Sequence, residues 1–482
     1  MVPPASIRER TPVVEQAGFL VLGSGPAGQK AAIQAAKAGQ SAVLVERERA
    51  VGGACVRTGT IPSKTLRERA ARPRRHGEPD PLERPLSELL AGVGDVVAAH
   101  DHYMSAQLAR NGVRVLRGDA RFIDGRTIEV TRIAAPPLRL AAPRIVIATG
   151  SRPRAPAQLA IDHEHVLDSD SILSLAWLPR SLLVLGGGVI ASEYASIFAA
   201  LGCRVQQADR NDRPLAFVDR ELTDLYERAL RDAGSEFLPR SVARSLGWDG
   251  ISQVVAEFED GRRVLADKAL VALGRVANVE SLQLEAAGVQ LNRAGHVAVD
   301  DELRTTAPGI YAAGDVIGPP ALASAAMEQG RRAACHALGL LAPAEFAEQL
   351  PAGIYSIPEI STVGLDEVAT IARFGGALVG RARFDEIARG QISGRPRGLL
   401  KLVATPDGRE VVGVQVAGDG ATELVHVGQV GLMARLGVDA YVDTVFNFPT
   451  MAEAYRVAAL DIVRQRRRVT ESGSVTASAA AQ

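Results

Sequence analysis

The stretch FLVLGSGPAGQKAAIQAAKAGQSAVLVE, residues 19–46, decides the fold at the start of the chain. It begins with an apolar run, passes through a glycine-rich turn into an alanine-rich segment that stops at Gly39, and ends in a second apolar run. Two apolar runs on either side of a segment that ends at a glycine predict a strand, a helix and a parallel strand. The sequence therefore predicts a βαβ unit of an α/β protein.

The turn within this unit has the composition of a dinucleotide site. Gly23, Gly25 and Gly28 give the pattern GxGxxG between the predicted strand and helix. Glycines at these places let the backbone approach a pyrophosphate held at the helix N-terminus. Glu46 ends the second strand, where its carboxylate can accept hydrogen bonds from ribose hydroxyls. A glycine-rich turn without a ligand is the alternative, and the acidic residue at the expected place disfavours it.

A second unit, SLLVLGGGVIASEYASIFAALGCRVQQAD at residues 181–209, repeats this arrangement. Its glycine positions and its acidic position are filled by Gly186, Gly188, Ala191 and Asp209. Arg210 follows at once, and Arg213 lies just beyond. An acidic side chain suits the free 2′-hydroxyl of NAD, whereas arginine suits the 2′-phosphate of NADP. The segment predicts a site that accepts both nucleotides, with an ordinary charged turn as the alternative.

The rest of the chain indicates how these units are arranged. The segments RIVIATG at 144–150 and IYAAGD at 310–315 predict further strands of the first domain, so the second nucleotide domain is inserted in the first. Alternating segments such as LLKLVA predict an antiparallel sheet in a third, C-terminal domain. We expect an α/β fold with boundaries at 1–153, 154–277, 278–345 and 346–465, followed by a disordered tail at 466–482.

Composition excludes several classes of function. Lys+Arg and Asp+Glu number 55 each, so no overall field attracts nucleic acid or an anionic membrane. Three cysteines without CxxC spacing exclude a disulfide framework and a sulfur-rich metal site. Residues 1–12 have no apolar stretch of signal-peptide length, and no run of about 18 apolar residues follows. We expect a cytoplasmic protein with small-molecule partners, no metal, no nucleic acid and no membrane.

The loop GGACVRTGTIPSK, residues 52–64, follows the first site and holds Cys55 but carries threonine at position 60. A dithiol–disulfide couple needs two sulfurs, and only one is present. Two nucleotide folds, this loop, the ATG and GD turns and the C-terminal domain resemble the pyridine nucleotide-disulfide oxidoreductases over about residues 17–465. The resemblance implies two Rossmann-like domains, the first for FAD and the second for NAD(P), and a C-terminal α+β dimerisation domain.

The resemblance also implies which residues form the sites. The FAD contacts that it implies are Gly23, Gly25, Gly28, Glu46, Gly53, Lys64, Gly150 and Asp315. The implied contacts for NAD(H) or NADP(H) are Gly186, Gly188, Ala191, Glu193, Asp209, Arg210 and Gly274. Lys64 is expected to pair with Glu193 near flavin N5, where positive charge stabilises the reduced flavin. A homodimer is implied because the segment from Phe448 to Glu453 should reach the partner's flavin, and a higher homo-oligomer stays open.

Two parts of the family's disulfide chemistry are altered in this chain. Thr60 stands where the flavin-facing cysteine would be, and Phe448 replaces the histidine of a His-Pro-Thr-x-x-Glu segment that keeps Glu453. A phenyl ring cannot carry a proton to a thiol. Within the family this combination resembles the soluble, Si-specific pyridine nucleotide transhydrogenases. The implied reaction is hydride transfer between NADPH and NAD⁺ through flavin N5, in ping-pong order and without a redox disulfide.

Three other functions remain open on the sequence. One is an NAD(P)H:quinone reductase or diaphorase, and another is a dihydrolipoamide dehydrogenase-like reductase, which Thr60 and Phe448 disfavour. The third is a non-catalytic flavin-binding redox sensor or scaffold, against which Lys64 and Glu193 argue. Cys55 is either a small buried residue or a catalytic one. His426 is expected to be an interface or core residue.

Overall fold

The computed structural model of the chain describes residues 14–72, 80–83, 85–341 and 350–479, with side chains as far as Arg468. The expectation about a signal peptide at residues 1–12 lies outside the described residues. No helix in the described ranges is both long enough and apolar enough to cross a membrane.

The strands are named in chain order. They are β1 (Val14–Gln16), β2 (Phe19–Leu22), β3 (Ala42–Glu46), β4 (Arg114–Arg117), β5 (Asp119–Phe122), β6 (Thr127–Arg132), β7 (Ala135–Ala141), β8 (Ile145–Ile147), β9 (Ser151–Pro153), β10 (Val166–Leu167), β11 (Ser181–Leu185), β12 (Arg204–Ala208), β13 (Glu236–Leu238), β14 (Ala243–Trp248), β15 (Val254–Phe258), β16 (Arg263–Ala266), β17 (Lys268–Val271), β18 (Arg275–Ala277), β19 (Ile310–Ala312), β20 (Ala352–Ile354), β21 (Ile360–Gly364), β22 (Leu378–Arg383), β23 (Leu399–Ala404) and β24 (Val411–Ala417).

The α-helices are named in the same way. They are α1 (Pro26–Lys37), α2 (Gly53–Arg57), α3 (Thr60–Ala70), α4 (Leu86–Leu89), α5 (Val93–Arg110), α6 (Val189–Ala200), α7 (Arg220–Asp232), α8 (Ala323–Ala337), α9 (Glu367–Phe374), α10 (Ala388–Ile392), α11 (Ala421–Met433), α12 (Val438–Asp443) and α13 (Glu453–Ala479).

The chain divides into two compact units. The first comprises 1–62, 92–154 and 275–343, and the second comprises 63–91, 155–274 and 344–482. The central nucleotide-binding segment and the C-terminal segment thus belong to one unit, which also takes residues 63–91. The finer division into domains that the sequence suggests stays a prediction.

The first unit is built on a five-stranded parallel sheet in the order β19-β8-β2-β3-β4. β2 and β8 are almost fully buried, as expected for parallel strands that are covered on both faces. Helices α1 and α8 pack together so closely that a Cβ at Gly330 would lie 1.9 Å from the carbonyl oxygen of Ala27. Because the strands are parallel, the turns after β2, β3, β8 and β19 share one edge of the sheet. The same unit contains a four-stranded sheet, β1-β7-β6-β5.

The second unit contains a parallel sheet in the order β10-β17-β11-β12-β13, which carries the second βαβ unit. An antiparallel sheet, β14-β15-β16, accompanies it. The C-terminal segment forms an antiparallel sheet in the order β20-β21-β24-β23-β22, against which α11 and α13 pack. The predicted α/β fold with two nucleotide-binding folds and an α+β C-terminal domain is confirmed.

The C-terminus differs from the expectation of a disordered tail over 466–482. Helix α13 continues to Ala479, and residues 480–482 lie outside the described part of the chain. Ile462 is fully buried, and the Arg466 guanidinium lies 2.7 Å from a carboxylate oxygen of Asp439. These contacts hold α13 in place from Glu453 to Arg466. A helix that is already nucleated extends at little cost per residue. Composition alone does not show this anchoring.

Candidate active site

The glycine turn of the first unit needs its glycines for different reasons. A Cβ at Gly28 would lie 1.9 Å from the carbonyl oxygen of Gly23, so only glycine lets helix and strand approach this closely. A Cβ at Gly25 would meet nothing within 4 Å, so the space in front of this residue is open. Helix α1 has no side-chain cap and begins with Pro26, which leaves its N-terminal turn suited to an anion.

Glu46 lies at the end of β3 with only 6% of its surface exposed. Its Oε2 accepts hydrogen bonds from the Ser24 backbone N–H at 2.8 Å and the Ser24 hydroxyl at 2.5 Å. Its Oε1 accepts one from the Glu48 N–H at 2.8 Å. Sequence analysis missed Ser24, although a hydroxyl residue between the first two glycines of the pattern was a usable signal. The carboxylate is therefore fixed beside the glycine turn, and its oxygens can still accept bonds from a ribose.

Gly53, Gly150 and Asp315, the other residues of the first unit assigned to FAD, lie at the same edge of the sheet. A Cβ at Gly53, the first residue of α2, would lie 3.0 Å from the Cα of Gly25. Asp315 follows β19, and its Oδ2 accepts a hydrogen bond from the Ser151 hydroxyl at 2.8 Å. Because Ser151 directly follows Gly150, this bond joins the ATG and GD turns. The structure thus brings all the residues assigned to FAD within the first unit to one edge.

The loop with a single cysteine forms two short helices. Cys55 lies in α2 and is half-buried, and Thr60 is the first residue of α3. The other two cysteines, Cys203 and Cys335, are buried. Burial raises the pKa of the Cys203 thiol to about 12, so this thiol is chemically inert near neutral pH.

The second glycine turn places an acidic side chain directly over its glycines. Gly186 follows β11, Gly188 caps α6, and Ala191 is fully buried. A Cβ at Gly187 would lie 2.8 Å from the Asp209 carboxyl carbon, so glycine is needed there to admit this side chain. Sequence analysis missed Gly187, for which the only signal was a third glycine in a row. The predicted acidic residue therefore lies at the turn that would hold a dinucleotide.

The two arginines after Asp209 differ in what they contact. Arg210 is exposed and makes no hydrogen bond or ion pair with the described part of the chain. Arg213 instead donates to the Val218 carbonyl at 2.8 Å, to the Thr223 hydroxyl at 2.9 Å and to a further carbonyl oxygen. Arg213 therefore braces its own loop, and Arg210 is the arginine available to a ligand. Gly274, also assigned to this site, lies after β17 with positive φ.

Lys64 and Glu193 are brought together by α3 and α6. The Lys64 Nζ lies 2.6 Å from Glu193 Oε2, and the two side chains are 25% and 6% exposed. The Glu193 Oε1 accepts the Tyr355 backbone N–H at 2.8 Å, and the Lys64 Nζ lies 5.0 Å from the centre of the Tyr355 ring. A buried carboxylate and an aromatic face together hold this ammonium in one place. Tyr355 is a further residue that sequence analysis missed.

The C-terminal residues have unequal environments. Phe448 is 69% exposed, whereas Glu453 begins α13 with a buried Oε2 that has no hydrogen-bond partner among the described residues. Helix α11 exposes an apolar stripe of Val427, Val430 and Met433. His426 is exposed on the same helix, with its Nδ1 2.8 Å from the Gln429 side-chain oxygen, so it does not belong to the core.

Comparison with known proteins places these sites in a family. The profile described as pyridine nucleotide-disulphide oxidoreductase matches residues 18–330, and the profile of that family's dimerisation domain matches 350–459. A protein named soluble pyridine nucleotide transhydrogenase from Mycobacterium bovis (strain BCG / Pasteur 1173P2) is 41% identical over 463 residues, covering 94% of this chain and 98% of the relative. A protein of the same name from Pseudomonas paraeruginosa is 41% identical over 465 residues, covering 92% of this chain and 97% of the relative.

Solved structures agree with this placement. LpdA from Mycobacterium tuberculosis matches with a TM-score of 0.84 at 28% identity, covering 93% of this chain and 99% of that one. The HOCl-induced flavoprotein disulfide reductase RclA from Escherichia coli matches with a TM-score of 0.84 at 27% identity, covering 92% of this chain and 99% of that one. The family expected from the sequence is confirmed. The chain belongs to the pyridine nucleotide-disulphide oxidoreductases, a family of oxidoreductases that use FAD and NAD(P)H.

Proposed function

We propose that the protein is an FAD-dependent transhydrogenase that moves hydride between NADPH and NAD⁺ in ping-pong order, without a redox disulfide. The observation that carries this proposal is Thr60 at the start of α3, which leaves the loop with a single sulfur while both dinucleotide turns are complete. Phe448 removes the proton carrier that disulfide chemistry needs. Relatives at 41% identity named soluble pyridine nucleotide transhydrogenase support the same conclusion.

The first site fits FAD on its own geometry. Gly25 leaves open space before an uncapped helix N-terminus, as a pyrophosphate requires. Glu46 offers a fixed carboxylate to the ribose, and Ser24 sets its orientation with two hydrogen bonds. Bound FAD would supply a carrier that keeps two electrons between the two nucleotide half-reactions. The chain's own residues bind and orient that carrier.

We assign to Lys64 the positive charge that stabilises the electron-rich, reduced isoalloxazine. Its ammonium is held by the buried Glu193 carboxylate at 2.6 Å and by the Tyr355 ring, so the protein sets the position of the charge in advance. A charge that is already in position stabilises the reduced flavin, and the protein does not have to reorganise during the reaction. Glu193 and Tyr355 act through Lys64 and are positioning residues.

In the second site, we propose a division of labour between neighbouring residues. The Asp209 carboxylate, directly over Gly187, accepts hydrogen bonds from the ribose 2′-hydroxyl of NAD(H). The Arg210 guanidinium, which has no partner in the described chain, binds the 2′-phosphate of NADP(H). One site can then serve both substrates in turn, as a ping-pong cycle requires.

We further propose that the protein is a homodimer formed through its C-terminal domain. The match to the dimerisation domain over 350–459 and the exposed apolar stripe of Val427, Val430 and Met433 support this assembly. Phe448, 69% exposed in the single chain, would then lie at the subunit interface. Since its substrates are the cellular pools of dinucleotides, we propose the cytoplasm as its compartment.

The test is steady-state electron transfer by the FAD-loaded protein. NADPH is the donor, and a thio-NAD⁺ analogue, lipoamide and a quinone are offered as parallel acceptors. We expect transfer to thio-NAD⁺ and none to lipoamide, with parallel lines in double-reciprocal plots of the two nucleotides. Lipoamide reduction at a comparable rate, or a quinone preferred to thio-NAD⁺, would overturn the proposal.

A further inference from the structure

We propose that Arg240 is a second specificity-determining residue for the 2′-phosphate of NADP(H), and that Asp212 holds its guanidinium when no phosphate is bound. This inference deepens the proposed function, on which it rests, because it names how the second site distinguishes its two substrates. Arg240 follows β13, far in sequence from the residues after β12 that the dinucleotide pattern singles out.

Backbone hydrogen bonds join the two loops that carry these residues. Asp209 donates its N–H to the Leu238 carbonyl at 3.2 Å and accepts the Ser241 N–H at 2.7 Å. Arg240 donates its own N–H to the Asn211 carbonyl at 3.0 Å. β12 and β13 are parallel neighbours, so their carboxyl ends lie at the same edge. Arg240 is therefore fixed beside the loop that would receive the ribose.

The Arg240 side chain is placed to exchange one anion for another. It is 78% exposed, and its Nε lies 3.4 Å from Oδ1 of Asp212, which is equally exposed. Ion pairs this exposed stabilise little. A phosphate offers three acceptor oxygens and more than one negative charge, so a guanidinium binds it more strongly than it binds a carboxylate. Asp212 is thus a weak internal partner that a 2′-phosphate can displace.

The negative charges at this corner of the site favour a second guanidinium with free N–H groups. Two carboxylates, Asp209 and Asp212, stand in the loop that would meet a phosphate of nearly two negative charges. Arg210 has its N–H groups available to these anionic groups, whereas Arg213 keeps its charge but donates its N–H groups to the Val218 carbonyl and the Thr223 hydroxyl. Arg240 supplies the missing positive charge from the neighbouring strand.

Calorimetric binding of two probes to the FAD-loaded protein tests the inference. Adenosine 2′,5′-bisphosphate carries the 2′-phosphate, and 5′-AMP lacks it. Arg240→Asn removes the charge with a side chain that tolerates the residue's positive φ of 49°. The matched control is Arg244→Asn, since Arg244 is 71% exposed and lies 3.2 Å from Glu257 in a comparable surface pair.

We expect Arg240→Asn to weaken the bisphosphate about tenfold and 5′-AMP less than twofold, because one charge-assisted contact is lost. Arg244→Asn should change neither probe, and Asp212→Asn should tighten the bisphosphate severalfold. Arg240→Gly removes the steric cost of the positive φ at this position. It should weaken binding of the bisphosphate as much as Arg240→Asn does. Equal effects of the Arg240 and Arg244 changes on the bisphosphate would overturn the inference. These probes need no turnover, so absent hydride transfer would refute the proposed function without changing this result.

Discussion

Replacing Glu193 by glutamine should destabilise the folded protein by about 2–4 kcal/mol, because it leaves the Lys64 ammonium without its counter-charge. The Nζ to Oε2 distance is 2.6 Å, and the glutamate side chain is only 6% exposed. Two unit charges about 3 Å apart attract by roughly 5 kcal/mol at an effective dielectric constant of 20. Lys64 is 25% exposed, so solvent screens part of this attraction. Glutamine still accepts the Tyr355 N–H, so charge is the main thing that changes.

The assay is urea unfolding of the FAD-loaded protein in a double-mutant cycle with Lys64→Met and Glu193→Gln. We expect a coupling energy of about 2 kcal/mol between the two side chains. The control cycle uses Arg244 and Glu257, which are 71% and 48% exposed, and should give about 0.2–1 kcal/mol. If the buried pair couples no more strongly than the surface pair, burial does not strengthen this interaction and the account of a preorganised ammonium is refuted.

Three further predictions concern the two nucleotide sites and the packing of the second unit. Gly25→Ala should keep the unfolding midpoint of the apoprotein but weaken FAD binding at least tenfold. Gly28→Ala should lower the unfolding midpoint, because its Cβ would lie 1.9 Å from a carbonyl oxygen. Similar midpoints for the two variants would contradict this prediction. Hydrogen bonds from Arg381 lower the pKa of Glu221 from 4.5 to about 2, so this contribution to stability is present above pH 4.5 and is lost as the pH falls towards 2. We expect the urea midpoint of Arg381→Met to fall less across this pH window than the midpoint of the unmodified protein. An equal fall in the two proteins would contradict this prediction. Arg210→Ala should weaken NADPH about 10- to 150-fold in rapid-reaction flavin reduction while NADH changes little, and equal losses would contradict the division of labour.

Features set by local sequence were predictable. The apolar runs of β2 and β11, and the glycine turns that follow them, are encoded within about thirty residues. The positions of Glu46 and Asp209 beside the glycine turns could be predicted because a βαβ unit places the end of its second strand at a constant distance from that turn. Composition and alternation also indicated the antiparallel C-terminal sheet.

Features set by tertiary contacts were not predictable. Arg213 and Arg240 are both arginines near a charged turn. Only the folded loops show that Arg213 binds the carbonyls of its own loop, while Arg240 is joined through its backbone N–H to the loop after β12. Tyr355 meets Lys64 through contacts between distant parts of the chain, which no local pattern encodes. The continuation of α13 depends on the burial of Ile462 against the C-terminal sheet rather than on the polarity of the residues after it.

An anaerobic reductive titration of the FAD-loaded protein measures directly whether a disulfide takes part. A flavin alone accepts two electrons, and a redox disulfide would accept two more. Because Thr60 leaves the loop with one sulfur, we predict complete bleaching by one two-electron equivalent per FAD, with no long-wavelength thiolate-to-flavin band at any stage. Uptake of a second equivalent, or a clear charge-transfer band after the first, would contradict a transhydrogenase that works without disulfide chemistry.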